Sequence, residues 1–229
     1  MNSSLRTSAS GMKAQQQMID VIAHNLANVN TTGFKRGRAT FEDALYENLA
    51  GGASVEAPGQ EPGSSLQIGR GVRLASVHKI HSQGVIESTA RALDLAVEGE
   101  GFLQVLRPDG ALAYTRDGSL SVSASGTLAT NGGYPIAPEI AVPDDASQIV
   151  VSAGGIVTVT GPGMTNPIEV GRIELARFLN TGGLLAIGEN QYLETPASGR
   201  PFLGYPQEEG FGRITQGALE SSNVEIVQE

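Results

Sequence analysis

The sequence predicts a mainly β fold with one long N-terminal α-helix: a β-rich outer domain joined to a terminal helix suited to coiled-coil packing. Three observations predict it. Leu5, Met12, Ile19 and Leu26 stand seven apart with Ala9, Gln16 and Ala23 between them, so the steps alternate 4, 3, 4, 3. From Leu66 onward apolar and polar residues alternate, which is a strand period. Asp109-Gly110, Asp117-Gly118 and Ser125-Gly126 recur every eight residues, the pace of short strands joined by tight turns.

A period of 3.5 keeps one helix stripe turned to a partner helix, whereas a helix lying on its own core shows a wider face at period 3.6. Ile22 and Val29 widen the stripe near its end, and the small Ala9 and Ala23 let a partner approach closely. Burying Leu5, Met12, Ile19, Ile22 and Leu26 yields roughly 1.5 to 3 kcal/mol apiece. Ordering the segment costs about 1 to 2 kcal/mol of backbone entropy per residue, and Thr7, Ser8, Ser10 and Gly11 are mediocre to poor helix formers. The helix is therefore expected to order only when it meets partner helices; the plainer alternative is a helix docked on its own domain.

The exit reads Asn25, Leu26, Ala27, Asn28, Val29, Asn30, Thr31, Thr32, Gly33, Phe34, Lys35, Arg36. Asn and Thr compete for backbone hydrogen bonds and Gly supplies a left-handed position, so the rod ends near 28–33 in an elbow. Residues 37–49, with Phe41, Leu45, Tyr46 and Leu49, suggest a short amphipathic helical turn. Residues 50–65 are Gly, Pro, Ser and Ala with Val55 as the large apolar residue, and read as a loop or linker.

Val72, Leu74 and Ser76 alternate, as do Leu93, Leu95 and Val97, then Phe102, Gln104 and Leu106. The turn signals place a meander with strands near 111–116, 119–124 and 127–131. Pro135, Pro138 and Pro143 interrupt it, since proline cannot donate to a ladder. Strands resume at 148–152, 156–160 and 168–178, the last with a phase slip near Gly171-Arg172 that indicates a bulge. Residues 184–205 are expected to return largely without regular structure, and 217–224 to re-enter a helical layer with Ser222 or Asn223 as N-cap. The domains expected are 1–36 for helix and elbow, 37–70 for an extended segment, 71–205 for the β-rich domain and 206–229 for the return.

Composition narrows the chemistry. Fifteen basic against 24 acidic residues give a net charge of −9, which opposes binding nucleic acid by phosphate neutralisation. Cysteine is absent, removing disulfides and thiolates. No apolar run reaches the length needed to span a bilayer, and Met1–Gly11 lacks the basic and apolar regions of a cleavable signal peptide.

Catalytic patterns are equally thin. His78 and His81, three apart on a strand, face opposite ways, and His24 lies on the helix, so no metal site is indicated. Gly69-Arg70-Gly71 and Gly99-Glu100-Gly101 lack the third glycine and following helix of a pyrophosphate cradle. Glu98 and Glu100 share a strand face without the cleft an acid and base pair requires. No catalytic residue and no cofactor are assigned. A hydrolase or binding module with an oligomerisation helix would need a concave site that the sequence does not indicate.

The elbow run resembles the N-terminal signature of the rod and hook proteins of the bacterial flagellum. Ala39-Thr40-Phe41-Glu42-Asp43-Ala44-Leu45-Tyr46, Leu66-Gln67-Ile68-Gly69-Arg70-Gly71-Val72, His81-Ser82-Gln83-Gly84, Gly99-Glu100-Gly101-Phe102, Tyr114-Thr115-Arg116-Asp117-Gly118 and Glu220-Ser221-Ser222-Asn223-Val224 are similar to the distal-rod branch of that family. The resemblance implies a structural subunit of a helical drive shaft that carries torque from motor to hook, with proximal rod or hook subunits as the nearby alternatives. It implies partners in copies of itself, proximal rod proteins, the hook protein and the surrounding P and L rings, and export through the flagellar apparatus without cleavage. It places self-assembly on Leu5, Ala9, Met12, Gln16, Ile19, Ile22, Ala23 and Leu26, and the elbow on Asn25, Leu26, Ala27, Asn28, Thr32, Gly33 and Phe34. Phe41, Leu45 and Tyr46 are expected to set rod stiffness. Proteins of this family carry a second amphipathic helix after the Ser-Asn-Val signature, and the sequence ends at Glu229, where that helix would begin.

Overall fold

The computed structural model describes residues 3–50, 66–162, 166–208 and 210–227. Among the described residues one helix, Ser3–Ala27, precedes nineteen short strands and a 3-10 turn at Thr181–Gly183. The chain divides into two compact units, one of residues 1–24 with 37–78 and the other of residues 25–36 with 79–229.

In the first unit the helix accompanies two antiparallel pairings. Gly37–Asp43 lies beside Val72–Lys79, and Tyr46–Ala50 pairs with Leu66–Gly69. The helical turn expected over 37–49 is thus strand. The deciding signal is the alternation of Gly37, Ala39 and Phe41, which are buried or half-buried while Arg38 and Thr40 are exposed. Most of the loop expected at 50–65 lies outside the described residues; Ala50 closes a strand.

The second unit is organised around a six-stranded antiparallel sheet in the spatial order Leu185–Gly188, Gln191–Leu193, Leu112–Thr115, Phe102–Leu106, Leu175–Arg177, Phe202–Gly204. Strand alternation splits its side chains between two apolar clusters. Leu103 and Leu175 join Leu95, Val97, Leu120, Leu128, Ile136, Ile173 and Ile214 in the larger core. Phe102, Tyr114, Ala176, Phe178, Leu184 and Tyr192 form the other. A three-stranded sheet, Gln148–Val151, Ile156–Thr160 and Ile168–Arg172, contributes Val151, Val157 and Val159 to the larger core.

Two of the three glycine turns behave as their sequence suggests. Asp109-Gly110 closes the hairpin from Phe102–Leu106 to Leu112–Thr115, and Ser125-Gly126 closes Leu120–Val122 onto Leu128–Thr130. Asp117-Gly118 does not, because the chain leaves the sheet there. Gly118 passes so close to the Leu95 carbonyl that a Cβ would sit 1.6 Å from its oxygen. The expected meander is therefore two hairpins joined by a corner.

Three further expectations need correction. The strand foreseen at 168–178 is two strands in different sheets, Ile168–Arg172 and Leu175–Arg177. The chain changes sheet at the fully buried Ile173, whose amide bonds to the Gly155 carbonyl. The bulge falls at Val170, since Val157 and Thr158 face Gly171 and Glu169. Residues 184–205 supply three strands of the large sheet, one pair joined by a turn in which Glu189 and Asn190 both take positive φ, 54° and 55°. That is the backbone of a two-residue hairpin, which a Glu-Asn pair does not advertise. Residues 217–224 likewise hold a strand: Ala218–Glu220 pairs with Ile86–Ser88, and Asn223 bonds to the elbow instead of capping a helix.

Candidate assembly site

The helix presents two contrasting lines of residues. Leu5, Met12, Ile19 and Leu26 are 67, 68, 63 and 46% exposed, and Ala9, Gln16 and Ala23 are exposed as well, while Ile22 is half-buried. Four large apolar side chains thus stand in solvent in one row. The other line is Thr7, Ser10, Gly11, Ala14, Gln17, Val21 and Asn25, all half or fully buried. It explains the poor helix formers. Ser10 Oγ donates to the Thr7 carbonyl at 2.7 Å and accepts the Val72 amide at 3.3 Å, and Gly71 passes so near that a Cβ would lie 2.1 Å from Ser10 Oγ. Small side chains are needed where the strand approaches the helix. Apolar bulk does not reveal this second line in the sequence, because its members are mostly small or polar.

The helix ends at Ala27, and the amides of Asn28 and Val29 bond back to the carbonyls of Asn25 and Leu26. Gly33 takes φ +68°, and a Cβ there would meet the Asp117 nitrogen at 2.7 Å and the Arg116 carbonyl carbon at 2.8 Å. Both the left-handed backbone and the lack of space require glycine. Its amide donates to the Glu220 carbonyl at 2.7 Å. Phe34 is buried, with Lys79 Nζ 4.2 Å from its ring centroid. The Thr32 carbonyl accepts from Asn190 Nδ2 at 2.9 Å, and Thr31 Oγ1 donates to Asn28 Oδ1.

Behind the elbow lies a buried ion cluster. Lys35 Nζ donates to Glu220 Oε1 at 2.5 Å, with both side chains fully buried, and to the Ser82 carbonyl at 2.8 Å. The Gly84 amide donates to Glu220 Oε1 at 2.8 Å, and Arg116 Nη1 to Glu220 Oε2 at 3.3 Å. Arg116 also donates to the Val97 and Gly99 carbonyls. Burial lowers the pKa of the Lys35 ammonium, and Glu220 opposes that shift; the Arg116 guanidinium follows the same balance. A neighbouring set fixes the end of the elbow. Asn223 Oδ1 accepts the Arg36 amide at 2.7 Å, and Asn223 Nδ2 donates to the Ile80 and Ser82 carbonyls.

The structure therefore joins motifs that the sequence holds far apart: the elbow, His81 to Gly84, Tyr114 to Gly118 and Glu220 to Val224. No local signal in the sequence singles out Lys35, Arg116, Glu220 or Asn223 as a site residue. A lone Lys or Glu reads as surface, and only pairing across the fold makes its burial tolerable. Phe41, Leu45 and Tyr46 lie in the first unit. Phe41 is half-buried, whereas Leu45, just before the strand Tyr46–Ala50, and Tyr46, which opens it, are 87 and 57% exposed.

Among the described residues no helix is long and apolar enough to cross a membrane. Residues 5–35 match the family model described as Flagella basal body rod protein, and residues 96–159 match the Flagellar hook protein FlgE/F/G D1 domain. An exposed apolar helix row, an elbow and a β-rich unit carrying these two matches define the class of flagellar rod and hook proteins. Over 233 residues the chain is 46% identical to the flagellar basal-body rod protein FlgG of Borreliella burgdorferi, covering 100% of this chain and 87% of that protein. It is 46% identical over 226 residues to FlgG of Caulobacter vibrioides, covering 98% and 86%. The flagellar hook protein FlgE of Helicobacter mustelae is 41% identical over 135 residues, covering 58% of this chain and 30% of that protein. The chain belongs to the FlgG family of flagellar basal-body rod proteins, and it is a structural subunit of the flagellar distal rod.

Proposed function

We infer that copies of this chain assemble through the helix row Leu5, Met12, Ile19 and Leu26 into an inner coiled-coil layer of the rod. The observation that carries this reading is the exposure of those four side chains in one row at heptad spacing. Isolated soluble chains seldom leave such a stripe open unless it is an interaction surface. Ala9, Gln16, Ala23 and Ile22 flank the contact. The β-rich unit forms the outer shell, and the polymer transmits torque from motor to hook.

The elbow and its ion cluster tie residues 25–36 to the β-rich unit. Phe41, Leu45 and Tyr46 wedge between neighbouring subunits and keep the rod straight. The partners that follow are copies of this chain, the proximal rod and hook proteins at the ends, and the P and L rings around it. Export proceeds through the flagellar apparatus without a cleaved signal peptide.

Because the chain contains no cysteine, Met12→Cys introduces a unique thiol into the row. That thiol should label readily with a maleimide in the free subunit and be protected in assembled rods. Equal labelling in both states would remove the row from the contact.

A further inference from the structure

His81 lies between the elbow and the β-rich core, and nothing in the assembly reading uses it. Its ring meets Phe102 edge-on at 5.4 Å and Tyr192 at 5.0 Å. Both ring nitrogens are buried, and neither meets a hydrogen-bond partner. Lys35 from the elbow, Lys79 from the end of the preceding strand and Arg116 from the corner at 116–118 all act on it as cations. Glu220, the anion that binds Lys35 and Arg116, is already committed to both and to the Gly84 amide. Glu100 and Arg177 share with His81 a cavity of about 180 Å³, which also reaches Phe102, Arg116 and Thr181. Burial pushes the Tyr192 phenol above its ordinary pKa, so it brings no negative charge near neutrality.

We propose that His81 is an acid latch: protonating its imidazole releases residues 25–36 from the β-rich unit. A neutral ring fits the apolar slot between Phe102 and Tyr192. An imidazolium would bring one more positive charge to a buried cluster whose cations, Lys35, Lys79 and Arg116, already outnumber Glu220, the carboxylate that pairs with two of them. The cavity supplies water and a path for the proton. The cheapest relief is to withdraw Lys35, and with it the elbow bonds from Gly33 to Glu220 and from Arg36 to Asn223.

Burial, aided by Lys35, Arg116 and Lys79, holds the His81 imidazole down at about 4 from an ordinary 6.5. Opening restores the ordinary value and so takes up one proton. The latched form is therefore favoured at neutral pH and is lost as pH falls. Between pH 6.5 and about 4 the open population should rise by up to roughly tenfold per pH unit.

The test is amide hydrogen exchange followed by NMR on the 229-residue chain, expressed as protection factors. Protection at Gly33 and Ile80, whose amides bond to the Glu220 and Arg36 carbonyls, should fall about tenfold per unit from pH 6 to 4.5, while Leu103 and Leu120 keep theirs. His81→Phe keeps the edge-on ring contacts and cannot take up the proton, so its elbow protection should be flat. Titration of any other group would appear in both proteins, so the difference isolates His81. An equal slope in H81F, or no slope in the unsubstituted chain, overturns the latch. Should H81F fail to fold, the His81 ring-proton shift of the unsubstituted chain decides: titration coincident with loss of elbow protection supports the proposal, and titration with the elbow still protected refutes it.

Discussion

Lys35 and Glu220 stand 185 positions apart in the chain and meet at 2.5 Å with both side chains fully buried. The pair closes the elbow against the last described strand. Removing one partner leaves the other charge buried with less compensation, which costs about 3 to 5 kcal/mol. Lys35→Met and Glu220→Leu should each cost that much, and the double variant should lose less than their sum by at least about 1 kcal/mol. A double-mutant cycle from denaturant unfolding reads the coupling, and strict additivity would show that the pair does not act as a unit.

Gly33→Ala should loosen the elbow while sparing the core. A left-handed backbone costs a residue with a Cβ roughly 1 to 2 kcal/mol, and the added methyl would press on the Asp117 nitrogen and Arg116 carbonyl carbon at 2.7 and 2.8 Å. Exchange at the Gly33 and Phe34 amides is the readout. Unchanged protection would mean that the bend does not depend on glycine.

The approach of Gly71 to Ser10 makes a parallel case in the other unit. Gly71 has φ +113°, so Gly71→Ala should break the bond from the Val72 amide to Ser10 Oγ and speed exchange at Val72 by tenfold or more, a shift of about 1.4 kcal/mol. Residues 79–227 should keep their protection. Slow Val72 exchange in the variant would show that the helix and strand tolerate the methyl.

How much of this was legible depended on whether a residue's role is local. The helix from Ser3 to Ala27, its exposed row and the Asp109-Gly110 hairpin follow from spacing and turn chemistry, which are written within a few residues of each other. The splitting of 168–178 at Ile173 was not legible, because both halves are apolar and strand-like and only the positions of two sheets separate them. The strands at 185–188 and 191–193 hid behind a turn at Glu189-Asn190 that uses left-handed backbone without glycine. The ion cluster was hidden most deeply. Lys35, Arg116 and Glu220 are ordinary charged residues until the fold removes water from all three.

The proposed stiffness segment has its own check. Leu45 and Tyr46 are exposed in the free chain, so Leu45→Ser with Tyr46→Ser should change stability by under about 1 kcal/mol and still permit rods to form. Electron microscopy of those rods should show curvature. Straight rods of unchanged stiffness would refute the wedge.

The central claim is that the row through Ile19 assembles the rod. Ile19 is 63% exposed, so Ile19→Asp should leave the free subunit within about 0.5 kcal/mol of its original stability. In the polymer the same substitution would bury an unpaired charge at a cost of several kcal/mol. The most direct measurement is electron microscopy of basal bodies from cells whose sole, full-length rod subunit carries Ile19→Asp, with export of the variant confirmed. The account predicts a folded, exported subunit and no distal rod; distal rods of normal length and abundance built from that variant would contradict it.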